Sequence, residues 1–187
     1  MVEMKRGSNV ALTREIPTLK SVVLGVRLSV GAERVLTDNL VVATLLCDAA
    51  SKVLSDEHFV FFNQLTSPDE SVSERAAALG DDTEQVEVDL PDVPPAIDRI
   101  VVALYLNEGI AQRRSLGQLR DCIIRVLNAD GDTELVRSEN LAAALTTETA
   151  LVLGELYRHQ GGWKFRVIGE GYSSGIRGIA TDYGVSL

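Results

Sequence analysis

The residues of this chain whose types and spacing could do chemistry are mainly carboxylates. Between Asp69 and Asp98 ten acids stand against a single base, Arg75, so this stretch holds a formal −9, the charge of the whole chain. The rest of the sequence is neutral. Nucleic-acid binding needs clustered Lys and Arg, and that pattern is missing. A focused acidic field suits a cation or a basic partner. The plain alternative is a solvated acidic loop that keeps the protein in solution. Calcium takes about six to eight oxygens from carboxylates, amides and carbonyls, commonly on loops that wrap the ion. Asn63-Gln-Leu-Thr-Ser-Pro-Asp69 and Gly80-Asp-Asp-Thr-Glu84 supply such groups on two loops. The candidate oxygens are Asn63, Asp69, Asp81, Asp82 and Glu84, although Asp, Asn and Gly also gather in loops for turn reasons alone.

Other motifs carry less. Gly169-Glu-Gly-Tyr-Ser-Ser-Gly175 follows a strand and precedes a helix, but its glycine spacing is one residue too long for a dinucleotide loop. Its glycines are expected to turn the chain from sheet to helix. Asn128-Ala-Asp-Gly-Asp-Thr-Glu134 has a calcium-loop look, yet its glycine is fourth rather than sixth and strands flank it. A type I′-like Asp130-Gly131 turn is the expectation. There is no G-x-S-x-G elbow and no H-E-x-x-H, and His58 and His159 are the only histidines. Cys47 and Cys122 lie inside apolar runs, read as small buried hydrophobes, and are too few for a disulfide framework.

The elements that would position these residues are short apolar runs separated by turn signals, the pattern of an antiparallel sandwich or barrel in one domain, 1–187. Leu40–Cys47 and Ile100–Leu106 are the longest runs, far below the roughly 18–20 residues of a membrane-spanning helix, and read as buried strands. The N-terminus has no apolar stretch of a secretory signal, so a reducing cytoplasm is the expected home. Strands are expected at Ser21–Ser29, Leu40–Cys47 (buried on both faces), Phe59–Asn63, Glu84–Leu90, Arg99–Leu106, Cys122–Leu127 and Glu134–Arg137. Val86, Val88 and Leu90 alternate with Glu87 and Asp89, so one face of that strand is buried and the other wet. Ser73–Leu79 is rich in helix formers and is expected to make two helical turns capped by Ser73. The chain is expected to close with a hairpin around Gly161-Gly162 and a short helix. In that helix Ile176, Ile179, Ala180 and Tyr183 share one face, with Gly184 at C′.

Gly154-Glu-Leu-Tyr-Arg-His-Gln-Gly-Gly-Trp-Lys-Phe-Arg166 and Gly169-Glu-Gly-Tyr172 closely resemble the C-terminal signature of the TerD family, bacterial proteins associated with tellurium resistance and stress response. Lys5–Thr13 is similar to the family's opening K-G-x-N-V-x-L, and Asp56–Asp69 to its D-x-x-F-V-F-Y-N-N-x-x-S-P-D-G. Leu116-Gly-Gln118 and Thr147-Glu-Thr-Ala150 match two further motifs in the same order. The resemblance implies a two-sheet β-sandwich with a few short helices. It also implies a non-enzymatic, calcium-binding protein, a cytoplasmic part of multiprotein stress complexes near the membrane.

The departures from the family pattern fall on the calcium loops. The family's D-x-D-L-D-A-S run is here Thr37-Asp-Asn-Leu-Val-Val-Ala43, which leaves Asn39 as a ligand with Asp38 beside it. Its G-D-N-x-x-G loop is Glu74-Arg-Ala-Ala-Ala-Leu79, and its G-D-G-D-D-E run is shortened to Gly80–Glu84. Calcium affinity depends on ligand number and charge, so the expected site is weakened. Two readings follow. The chain is a stress-response binding or scaffold module holding a cation at Asn39, Asn63, Asp69, Asp81, Asp82 and Glu84, or a metal-free relative whose acidic face docks a protein partner. An enzyme acting on tellurium oxyanions finds no redox pair in two separated cysteines.

Overall fold

Two patterns of apolar residues decide the architecture. Where apolar side chains occupy both faces of a strand, the strand must be covered twice; where they alternate with charge, it is covered once. The computed structural model describes residues 2–31, 34–107 and 114–186. Leu187, the end of the expected C-terminal unit, lies outside them.

The strands are β1 (Val2–Met4), β2 (Asn9–Ala11), β3 (Ser21–Ser29), β4 (Leu40–Cys47), β5 (Phe59–Val60) and β6 (Val72–Glu74). They continue as β7 (Glu84–Asp89), β8 (Arg99–Leu106), β9 (Asp121–Asn128), β10 (Thr133–Ser138), β11 (Ala150–His159) and β12 (Gly162–Tyr172). Two α-helices join them, α1 (Arg34–Asn39) and α2 (Ile176–Tyr183). One sheet runs β1-β10-β9-β3-β7-β6 and the other β2-β12-β11-β8-β4-β5. Pairing is antiparallel throughout except for β1 with β10.

The expected two-sheet sandwich is therefore present, with a third layer on one side. In β4, Val42 and Leu46 enter the core between the sheets, while Val41, Ala43, Leu45 and Cys47 face a second cluster beneath α2. In β8, Ile100, Val102 and Leu104 take the first role and Val101, Ala103 and Tyr105 the second. Ile179 and Tyr183 of α2 close the outer cluster, and Gly184 ends the helix at φ 73° as its C-terminal cap. By contrast β7 buries Val86 and Val88 and leaves Glu87 and Asp89 half-buried on the outer face.

Several local expectations are corrected. Ser73–Leu79 is not a helix. Val72–Glu74 pairs with β7, the Glu74 amide donates to the Leu65 carbonyl and the Arg75 amide to that of Gln85. A lone two-turn helix rarely nucleates, and sheet partners win these amides. The strand at Phe59 stops at Val60, because Phe61 and Gln64 exchange backbone hydrogen bonds at 2.9 Å and close a turn. The loop after Asn128 places positive φ on Gly131 and Asp132, so it is longer than an Asp-Gly two-residue turn. In the last hairpin the turn residues are Gln160 and Gly161, one position earlier than expected, since His159 pairs with Gly162. Gly169 and Gly171 lie within β12, and Gly175 makes the turn into α2.

Candidate functional site

The acidic loop between β6 and β7 is built against the end of β3. The Thr83 amide donates to the Val26 carbonyl at 2.7 Å, and the Leu28 amide donates to the Thr83 hydroxyl at 3.0 Å. This anchoring turns Asp82 inward over β3 and β9. Its side chain is 0% exposed, whereas that of Asp81 is 87% exposed. Arg125 of β9 meets Asp82 with three contacts: Nε to both oxygens at 2.8 and 3.0 Å, and Nη2 to Oδ2 at 2.8 Å. The Gln85 amide donates to Oδ2 at 2.7 Å, and Arg27 Nε stands 4.0 Å from Oδ1. Gly25 makes room for this: a Cβ there would lie 2.3 Å from Asp82 Oδ2. A glycine inside a strand often marks such a close approach.

The other candidate oxygens have separate surroundings. Asp81 faces Arg27 at 3.9 Å. Glu84, three residues on, hydrogen-bonds the Glu74 carboxyl; burial, then the Glu74 charge and that hydrogen bond, push the Glu84 carboxyl up to about 8. Burial raises Glu74 as well. Asp69 Oδ1 accepts from the Ser67 hydroxyl at 3.0 Å, the Ser71 amide at 2.8 Å and the Ser71 hydroxyl. Desolvation would raise its carboxyl, but these hydrogen bonds and His58 hold it below the usual range. Its Oδ2 is buried with no hydrogen-bond partner among the described residues. Asn63 is exposed in the turn closed by Phe61 and Gln64. Asn39 ends α1, where its carbonyl accepts from the Asn107 amide at 2.7 Å. Thr37 and Leu40, on either side, share a cavity of about 130 Å³ with Glu84, so α1 and the acidic loop meet there.

A calcium ion would find two of these carboxylates already committed. Arg125 and Gln85 saturate Asp82, and Glu74 with Glu84 share a proton. Among the described residues, no three acids, histidines or cysteines gather as a metal cage. The set does not fit a tightly held calcium, which needs about six to eight free oxygens. The sequence reading missed Arg125, Arg27, Gln85 and Gly25. The glycine at the centre of Ser21–Ser29 was the available signal.

A family model, the TerD domain, matches residues 1–183. The chain belongs to the TerD domain family. It is 35% identical over 189 residues to tellurium resistance protein TerD of Serratia marcescens, covering 99% of this chain and 98% of that protein. General stress protein 16U of Bacillus subtilis is 37% identical over 192 residues, covering 100% of this chain and 98% of the relative. A crystal structure of a homologue of telluride resistance protein (TerD) from Streptomyces coelicolor superposes with a TM-score of 0.63 at 19% identity, covering 87% of this chain and 95% of that one. At that identity the likeness concerns the fold, and it places the two sheets and terminal helix within the TerD fold. Membership gives the chain a place among stress-response and tellurium-resistance proteins. No helix among the described residues is long and apolar enough to cross a membrane.

Proposed function

We propose that this TerD-domain protein is a non-enzymatic binding module of the cytoplasmic stress response, whose acidic end docks a protein partner without tight calcium. The observation that carries this reading is the setting of Asp82, where the Arg125 guanidinium engages both carboxylate oxygens. An internal cation holds the loop in shape, so no ion is required to order it. Phe62 and Leu65 supply docking chemistry beside it. They are 57% and 55% exposed, and the Leu65 carbonyl accepts from the Glu74 amide, which sets Leu65 next to the acidic edge. Exposed apolar side chains rimmed by charge are the composition of a protein-binding patch.

The non-enzymatic part is supported by the cysteines. Burial pushes the Cys47 and Cys122 thiols up to about 12, and a thiol held protonated is a poor nucleophile or redox centre. Asp69 Oδ2, buried and unpartnered, favours a second reading in which a weakly held cation completes that loop. A resistance assay tests the main proposal. In a bacterial strain sensitised by loss of its own counterpart, Cys47→Ser with Cys122→Ser is expected to protect as the parent does. Glu70→Lys with Asp81→Lys, both exposed, is expected to lose protection while remaining folded by circular dichroism. Protection that depends on the cysteines, or is indifferent to the charge reversal, would sink it.

A further inference from the structure

Strand alternation puts a charged cluster on the outer face of the second sheet. Trp163 and Phe165 point between the sheets, so Lys164 and Arg166 of β12 point outward. Ile100 and Leu156 likewise leave Arg99 of β8 and Glu155 and Tyr157 of β11 on that outer face. Register sets them side by side: Tyr157 pairs with Arg99 and with Lys164, and Glu155 pairs with Arg166. Arg99 Nη1 meets Glu155 Oε1 at 2.7 Å, and Arg166 Nη1 stands 3.7 Å from the same oxygen. Both guanidinium groups lie over the Tyr157 ring, 5.7 and 4.8 Å from its centroid. The Glu155 side chain is 4% exposed, whereas that of Arg166 is 40% exposed. A buried acid thus holds two arginines over an aromatic floor, which orients their donors before a partner arrives.

That cluster is not balanced within the chain. One carboxylate serves two guanidiniums, Asp98 is a second acid near Glu155, and Lys164 has no ion pair among the described residues. Three cations therefore face two carboxylates, a local reversal of sign in a chain of net charge −9. The acidic end has the opposite surplus. Asp81 is 87% exposed, Glu70 is exposed on a backbone φ of 66°, and Arg27, Arg75 and Arg125 do not balance the ten acids of that stretch. One chain cannot bring the two surfaces together. Leu40 shares a cavity with Glu84 at the acidic end, while Cys47, at the other end of the same strand, pairs with Arg99. At about 3.3 Å per residue, β4 keeps these ends roughly 23 Å apart. That exceeds two Debye lengths of about 8 Å at physiological salt.

We propose that the acidic end docks on a second copy of this chain, which receives it on the outer face of Arg99, Tyr157 and Arg166. Arg166 and Lys164 meet the exposed carboxylates of Glu70 and Asp81. Leu79, 53% exposed in the same acidic stretch, packs against the aliphatic stems of those cations. Because the two surfaces differ, the contact is head to tail: each copy leaves one acidic end and one basic face open, and copies add in a row rather than close as a pair. The net charge of each copy opposes this at a distance. Salt screens that repulsion, with a Debye length of about 10 Å at 0.1 M, and leaves contacts of a few ångströms in force. The inference rests on the acidic end being a docking surface, as proposed above, and names what it docks.

Sedimentation velocity of the whole chain tests this. At about 0.1 M salt the sedimentation coefficient is expected to rise with protein concentration up to the millimolar range. At about 1 M salt, where the Debye length is about 3 Å, it is expected to stay at that of one chain. Lys164→Gln with Arg166→Gln disables the basic face, and Glu70→Gln with Asp81→Asn the acidic end. Each pair of substitutions is expected to weaken association about tenfold, with circular dichroism showing both variants folded. Mixed one to one, the two variants are expected to pair and go no further, because each supplies one intact half of the contact. A parent that stays single at the lower salt, folded variants that associate like the parent, or a mixture that behaves as its components do alone overturns the proposal. The docking reading is tested separately by the resistance assay. A parent that stays single while Glu70→Lys with Asp81→Lys loses protection overturns this inference and leaves that reading standing. Protection indifferent to the reversal, in a chain that associates head to tail, sinks that reading alone.

Discussion

Asp82 and Glu84 stand two residues apart and meet opposite surroundings. Asp82 is turned inward under two arginines and stays paired; Glu84 is turned toward Glu74 and the apolar mouth of the sandwich, and holds a proton. Removing the guanidinium strands a buried carboxylate. Arg125→Met is expected to cost about 3 kcal/mol in urea unfolding, while Asp82→Leu in the same chain recovers much of that, since an apolar pair leaves no charge uncompensated. Glu84 gives a pH signature. Its folded carboxyl titrates near 8 against an ordinary 4.5, so between those values the folded state holds the extra proton. Its stabilising contribution is therefore complete below about 4.5 and lost as pH rises through 8. Glu84→Gln is expected to flatten that decline. The variant should gain about 1–2 kcal/mol over the parent above pH 8, after allowing for solvent screening, and little at pH 5. Parallel thermal melts at the two pH values would check this; an unchanged slope would count against the shared proton.

At the scale of elements, legibility followed the number of partners each segment needs. The strand over Leu40–Cys47 was readable as doubly buried because both faces are apolar, and α2 was readable because Ile176, Ile179 and Tyr183 fall on one face before Gly184. Ser73–Leu79 misled because its helix propensity is local, while the amides of Glu74 and Arg75 belong to distant carbonyls. The short strands β1 and β2 and helix α1 carry too few residues for a period to emerge. Leu36 of α1 nevertheless enters the inter-sheet core. The outer cluster depends on α2, so Ile179→Ala, a truncation of a fully buried side chain, is expected to cost about 2–4 kcal/mol. A loss well below 1 kcal/mol in denaturant titration would show that the helix is not a structural layer.

Across the whole molecule, the sequence's −9 stretch is not a bare acidic field. Arg27 and Arg125 arrive from β3 and β9 to meet Asp81 and Asp82, and Arg75 spans Glu87 and Asp132 at 3.5 Å each. Family membership and the sandwich were legible because motifs and periodicity are local. The condition of the candidate site was not, because it depends on which arginines of neighbouring strands reach the loop. The acidic end is braced from within by Arg27, Arg75 and Arg125, keeps a net negative charge, and docks a partner rather than a tightly held ion. Calcium titration followed by amide chemical shifts and thermal midpoint tests it most directly, since a ligand bound only by the folded state must stabilise it. No saturable shifts and no rise in midpoint are expected at about 1 mM calcium, well above the range of sensor sites. Saturable shifts converging on Asn39, Asn63, Asp69 and Asp81–Glu84, with a raised midpoint, would contradict it.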